Sequence, residues 1–130
     1  MKKGYKALVA EADEVVEAIS IEDGEALRGK EDVVFVDIRD VRELWREGKL
    51  PGAVHAPRGM LEFWVDPDSP YHREVFAEDK RFVFYCAAGW RSALAAKSMQ
   101  EMGLPKVCHM TGGFTAWKEA GLPVEDVERK

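Results

Sequence analysis

A cysteine and an arginine bound one short segment, Cys86-Ala87-Ala88-Gly89-Trp90-Arg91, and Ser92 follows it. Ala87, Ala88 and Gly89 let the backbone curl tightly, so that several N–H groups point inward as an anion-holding nest. Arg91 adds a fixed positive charge at the end of the loop. Such a segment suits a stabilised thiolate, or an anion bound to its sulfur. Taken alone, Cys86 is a small buried hydrophobe. The residues that follow it are what point to chemistry.

The flanking elements give the loop its setting. Phe82-Val83-Phe84-Tyr85 is apolar, aromatic and β-branched, and reads as a buried strand. Beyond the loop, Leu94, Ala95, Ser98, Met99 and Met102 share one face at helical period. The cysteine therefore sits between a strand and a helix start, where unpaired N–H groups favour thiolate over thiol.

The other elements are read in chain order. Residues 5–17 read as a helical arm. Ala18-Ile19-Ser20-Ile21 is expected as a short strand, with Asp23 capping a helix through Leu27. Val33-Val34-Phe35-Val36-Asp37 is continuously apolar up to its end, as a strand covered on both faces should be. Asp40 and Glu43 make a variant capping box for a helix carrying Val41, Leu44 and Trp45, stopped by Gly48. After the Pro51-Gly52 turn, Ala53-Val54-His55-Ala56 is a short strand. Brief helices are expected over Gly59–Trp64 and Tyr71–Ala77, with a loop over Asp66–Pro70 between them. Val107-Cys108-His109-Met110 is the last strand, and Thr111-Gly112-Gly113 turns into a final helix with Phe114 and Trp117.

Short apolar strands alternating with helices indicate an α/β domain, a three-layer α/β/α arrangement with a central parallel sheet of about five strands. The domain is placed at residues 18–124, with an arm at 1–17 and a tail at 125–130. In such sheets, ligands sit beyond the carboxyl ends of the strands. Asp37, His55, Cys86 and His109 fall at or near those ends. The loops that follow carry Arg39, Arg58 and Thr111.

Composition narrows the function classes. The 130 residues suit one domain with a real core. A net charge of −5 implies no basic face and argues against nucleic acid as a partner. Two cysteines make no disulfide framework, so free thiols in a reducing compartment are expected. The run Ala7-Leu8-Val9-Ala10 is too short for a signal peptide, and no stretch reaches the ~18 apolar residues of a membrane helix. A soluble, cytoplasmic protein is the expectation. Two cysteines and three scattered histidines show no zinc-like spacing, so no metal site is expected.

The remaining candidates carry weaker claims. Asp37 reads as a structural carboxylate that orders neighbouring loops, with Arg91 as one candidate partner. Arg58 is either a source of charge at the rim or an ordinary surface arginine. Trp90 shapes the mouth or packs over the helix start. His55 and His109 read as satisfied polar groups. His72 invites a pairing with Cys86, and Cys108 reads as a buried strand cysteine before a second reactive thiol. Phe63, Trp64 and the Asp66–Pro70 loop, which follow Arg58, offer one wall of the mouth.

Four segments in order resemble the rhodanese (sulfurtransferase) family. They are Val36-Asp37-Ile38-Arg39, Gly48-Lys49-Leu50-Pro51-Gly52-Ala53-Val54-His55-Ala56-Pro57, the Cys86–Ser92 loop, and Thr111-Gly112-Gly113-Phe114-Thr115-Ala116-Trp117. The resemblance spans roughly residues 18–124. It implies a flavodoxin-like α/β domain in which Cys86 takes up a sulfane sulfur as a persulfide and passes it to a thiophilic acceptor. Ala87, Ala88, Gly89, Trp90 and Arg91 would form the persulfide cradle, with Asp37, Arg39 and Arg58 supporting it or at its rim. A small sulfur-containing donor and a thiol or protein acceptor are the implied partners, and no cofactor is needed. Loop N–H groups would hold the anionic outer sulfur as an oxyanion hole holds developing charge. Phosphatases and arsenate reductases of the same superfamily use a loop one residue longer, so the Cys-x4-Arg spacing here ranks that chemistry lower. A further alternative is a non-catalytic interaction module using Trp90 and Trp64. Two departures stand out. Lys49 replaces a frequent family histidine. Ala87 and Ala88 carry no charge where thiosulfate-active members often place a cation.

Overall fold

A computed structural model describes all residues, 1–130. Five parallel strands form one sheet: β1 (Glu17–Ile19), β2 (Val33–Asp37), β3 (Val54–His55), β4 (Arg81–Tyr85) and β5 (Val107–Met110). Their spatial order is β1-β5-β4-β2-β3. The chain thus moves outward from β2 to β3, then crosses back to β4 and on to β5. The reversal lies between β2 and β4, where doubly wound sheets open a crevice at their carboxyl ends. β2 and β4 pair along their whole length, from Val33 with Arg81 to Asp37 with Tyr85. This brings Asp37 beside the strand that leads into Cys86.

Six helices cover the sheet: α1 (Tyr5–Val15), α2 (Ile21–Leu27), α3 (Val41–Glu47), α4 (Leu61–Val65), α5 (Trp90–Met102) and α6 (Gly113–Glu119). Alternation along the strands divides the core in two. On one side Val36, Phe82, Phe84 and Val107 pack with Leu61 of α4 and Ala95, Ala96 and Met99 of α5. On the other, Phe35, Val83, Tyr85, Cys108 and Met110 pack with Phe114 and Trp117 of α6. Both faces are apolar, which explains strands without a polar alternation.

Several boundaries differ from the sequence expectation. The first strand ends at Ile19, and Ser20 rather than Asp23 caps α2, its hydroxyl accepting the Asp23 N–H at 3.1 Å. Ile21 is therefore the first residue of α2. The third strand shrinks to Val54–His55. The brief helix expected at Gly59–Trp64 is a 3-10 turn (Arg58–Met60) followed by α4. That expected at Tyr71–Ala77 is only a 3-10 turn over Glu74–Ala77. The Asp40 and Glu43 capping box at α3 forms as read.

The arm helix α1 lies along α5. The Tyr5 ring sits 5.1 Å from that of Trp90, and Gln100 donates to the Val15 carbonyl at 3.0 Å. Glu17 belongs to β1, outside this helix. At the other terminus, Glu125 and Lys49 exchange backbone hydrogen bonds at 2.8 and 3.0 Å. No helix is long and apolar enough to cross a membrane.

Candidate active site

Cys86 directly follows β4, and its side chain is 1% exposed. The Gly89 N–H donates to its sulfur at 3.1 Å, and the sulfur lies 3.6 Å from the Ser92 hydroxyl. Gly89 closes the curl with a φ of +112°, in the region that favours glycine. Its N–H is the one loop amide with a partner. Those of Ala87, Ala88, Trp90 and Arg91 meet no acceptor in the protein. These amides are left as unpaired donors at the start of a 13-residue helix.

The loop carbonyls are held from outside. Cys86 O accepts the Phe114 N–H at 2.8 Å, and Ala87 O accepts that of Thr115 at 3.0 Å. The first turn of α6 thus uses donors that have no partner within the helix to hold the loop carbonyls. This close approach is why Gly113 precedes Phe114. A Cβ on Gly113 would come within 2.4 Å of Cys86 O, and its φ is +57°.

Arg91 does not pair with Asp37. Its guanidinium donates to both oxygens of Glu43, at 2.7 and 3.1 Å. This pair ties the start of α5 to the start of α3. The hydrogen bond from Arg91 holds the Glu43 carboxyl below its usual range, against the opposing effect of burial. Asp37 instead takes Arg39, through Nε at 3.0 Å and Nη2 at 2.7 Å. Both side chains are fully buried. Arg39 also reaches Gly48 O at 2.7 Å and lies 4.2 Å over the Phe114 ring. Asp37 and Arg39 are supports beneath the site, not rim groups. The competing choice failed because Asp37 has a cation two residues away whose only buried counter-charge it is.

Arg58 is not aimed at the loop. It pairs with Glu62 at 2.8 Å and reaches Ser98 at 3.5 Å. Ser98 lies two turns along α5 from Trp90, about 12 Å at 1.5 Å per residue. Asp66 and Pro67 border Met102–Pro105, at the opposite end of α5 from Cys86, so this loop is no wall of the mouth. Trp64 packs its ring 4.1 Å under the Arg73 guanidinium. Trp90 is exposed beside the loop and rests on Tyr5 of the arm.

Of the histidines, His55 is satisfied by the Arg39 carbonyl at 2.7 Å, and His72 makes no hydrogen bond with Cys86. His109 is the residue that sequence reasoning undervalued. Its Nδ1 lies 3.0 Å from the Ser92 hydroxyl, itself beside the Cys86 sulfur. Cys108 is free and points into the other core layer, away from Cys86. Burial raises its thiol above the ordinary value, with Arg81 opposing. No cluster of metal-ligating side chains occurs.

Residues 20–120 match the family of rhodanese-like domains. A thiosulfate sulfurtransferase, GlpE, of Pseudoalteromonas translucida is 34% identical over 111 residues, covering 85% of this chain and 95% of its own length. A solved structure from Rhodopseudomonas palustris, of unknown function and described as a possible tyrosine phosphatase, is 55% identical. It superposes with a TM-score of 0.94 over 96% of each chain. A mouse thiosulfate sulfurtransferase/rhodanese-like domain-containing protein is 27% identical and covers 71% of this chain. The chain spans 62% of the length of that mouse protein and 49% of an uncharacterised Synechocystis relative. With its five-stranded parallel sheet and the matched segment enclosing the Cys86 loop, the chain belongs to the rhodanese-like domain family.

Proposed function

We propose that the protein is a sulfurtransferase that carries sulfur as a persulfide on Cys86. The observation that carries this reading is a cysteine whose sulfur accepts the Gly89 N–H, in a loop whose other N–H groups have no acceptors. A sulfane-sulfur donor is attacked by the Cys86 thiolate, its S–S bond breaks, and the donor leaves as a thiolate. The terminal sulfur left on Cys86 is anionic, and the N–H nest holds it. An acceptor thiolate then attacks that outer sulfur, the bond to the Cys86 sulfur breaks, and Cys86 leaves as a thiolate. Each step exchanges one S–S bond for another, so no redox cofactor is required.

The donor is a persulfide or polysulfide in preference to thiosulfate. Ala87 and Ala88 bring no cation, Arg91 is held by Glu43, and Arg58 by Glu62. A dianionic donor would meet only backbone dipoles. Two free cysteines on opposite sides of the sheet suit a reducing compartment such as the cytoplasm.

The R. palustris neighbour motivates a second reading, hydrolysis of a phosphate ester through the same cysteine. A phosphate in such a loop needs a free guanidinium for bidentate contact. Arg91 turns both terminal nitrogens to Glu43 in a bidentate pair, and the loop is one residue shorter than that chemistry uses. Incubation of the reduced protein with glutathione persulfide, polysulfide, thiosulfate and an aryl phosphate separates the readings. Sulfur uptake on Cys86 without phosphate release is expected. Aryl phosphate hydrolysis lost in Cys86→Ser, with no sulfur uptake, would establish the second reading. Inertness to all four, with a protein bound at Trp90, would leave a non-catalytic module.

A further inference from the structure

The Cys86 thiol is shut off from bulk water, yet it must lose a proton before it can attack. Two protein groups meet the sulfur. The Gly89 N–H donates to it, so the Ser92 hydroxyl is the only acceptor open to its S–H. Ser92 is itself fully buried. Its own proton has two acceptors in reach, His109 Nδ1 at 3.0 Å and Gly89 O at 3.3 Å.

His109 continues the line. It is 2% exposed, and its Nε2 is buried with no hydrogen-bond partner. That nitrogen faces Asp13 of the arm helix α1, whose Oδ1 lies 4.0 Å away. His109, Asp13, Val9, Ala88, Gly89, Trp90 and Thr111 line a cavity of about 180 Å³ between the arm and the loop. A carboxylate near Nε2 favours the tautomer with its hydrogen there. Nδ1 is then a lone pair, free to accept from Ser92.

We infer that Ser92, His109 and Asp13 form a proton relay for Cys86, and that the N-terminal arm thereby completes the active site. Asp13 lies outside the residues 20–120 that match the family. On activation the Cys86 S–H bond breaks and its electron pair stays on sulfur. The proton passes to the Ser92 oxygen, and the Ser92 proton passes to Nδ1. The products are a thiolate and an imidazolium, so net charge is unchanged. When Cys86 leaves at the end of sulfur transfer, the same steps run backward. Asp13 lowers the cost of the imidazolium through its Nε2–H. Burial holds His109 below the ordinary histidine value, with Asp13 opposing, so the resting ring is neutral and the nearby carboxylate offsets part of the cost of protonating it. Around the ring, α5 presents Ser92 and Trp90, neither of them charged, and β1 presents Ala18 and β4 presents Phe84 at the paired positions. Asp13 is the charged group facing it, and Lys6 lines the adjoining hollow with Asp13.

The inference rests on Cys86 as the reacting thiol, but alkylation tests it without any sulfur transfer. Iodoacetamide alkylation of Cys86 is followed by mass at about pH 6.5 and about pH 9.5, the latter high enough for a thiol to ionise unaided. His109→Gln keeps a hydrogen-bonding partner for Ser92 but cannot hold a proton. It should raise the ratio of the high-pH rate to the low-pH rate by about tenfold, the effect of one unit on a titration. Asp13→Asn alters a half-exposed carboxylate on a surface helix and should raise the ratio in the same direction by a smaller factor. An unchanged ratio in His109→Gln, or equal falls at both pH values, overturns the relay. A changed ratio in His109→Gln with none in Asp13→Asn overturns the part given to the arm. A relay present in a protein that takes up no sulfur would sink the sulfurtransferase reading alone, and the reverse result would sink only the relay.

Discussion

The Arg91 guanidinium holds the Glu43 carboxylate through two hydrogen bonds, joining the first turns of α5 and α3 beside the Cys86 loop. The arginine that ends the loop is thus a brace, and its charge is neutralised where a tetrahedral anion would need it. Glu43→Gln should release it. We expect phosphate or sulfate to protect Cys86 from alkylation several-fold better in Glu43→Gln than in wild type. Equal protection in both would mean that the pair does not govern anion access.

The same pair has a pH signature. Glu43 is held below its usual value of 4.5, so its contribution is complete above that pH and disappears as pH falls through the lower folded-state value. Arg91 is 42% exposed, which limits the pair to about 1 kcal/mol or less. Acid titration followed by thermal melting should show wild type losing stability below pH 4.5 relative to Glu43→Gln. Parallel curves would contradict this.

Gly113 is the point at which α6 touches the loop. Gly113→Ala places a methyl carbon against the Cys86 carbonyl at a positive φ. We expect a loss of about 2 kcal/mol or more in chemical denaturation. Cys86 reactivity should fall with it, because the loop carbonyls must shift. Retention of both would show that the α6 turn is not what sets the loop.

Asp37 and Arg39 are a fully buried pair, so removing one partner leaves an uncompensated charge. Asp37→Asn should cost about 3–5 kcal/mol. Urea denaturation with an unchanged slope would report this as a lower midpoint. A cost below about 1 kcal/mol would show that Gly48 O and Glu47 suffice for Arg39.

Much of this was legible in the chain. The five short runs became the five strands, and the three central ones, β2, β4 and β5, are the continuously apolar ones because they are covered on both faces. The small residues after Cys86 became a loop with unpaired N–H groups, and Gly113 became the tight approach of α6. What escaped was pairing. Asp37 and Glu43 are both acidic residues near strand and helix ends; Asp37 takes the arginine two residues on, and only the meeting of the α3 and α5 starts gives Arg91 to Glu43. His109 escaped for a related reason. In a strand buried on both faces no polar alternation marks the sides, so nothing in the sequence assigned His109 to the Cys86 layer and Cys108 to the other. The cap of α2 went to Ser20 because the helix begins three residues earlier than a cap at Asp23 implies.

Placement of the two cysteines in opposite layers yields a direct control. Cys108→Ala should retain full sulfur uptake, since no movement short of unfolding the sheet brings its thiol to Cys86. Loss of uptake in Cys108→Ala, with the fold intact by circular dichroism, would give Cys108 a part in the chemistry.

The central claim is that Cys86 carries a sulfur atom. Its most direct test is the intact mass of the reduced protein after exposure to glutathione persulfide, followed by incubation with an acceptor thiol. The expected result is a gain of one sulfur that maps to Cys86, is absent in Cys86→Ser, and is removed by the thiol with formation of the acceptor's persulfide. A folded protein whose Cys86 is alkylated by iodoacetamide yet gains no sulfur from glutathione persulfide, polysulfide or thiosulfate would contradict it.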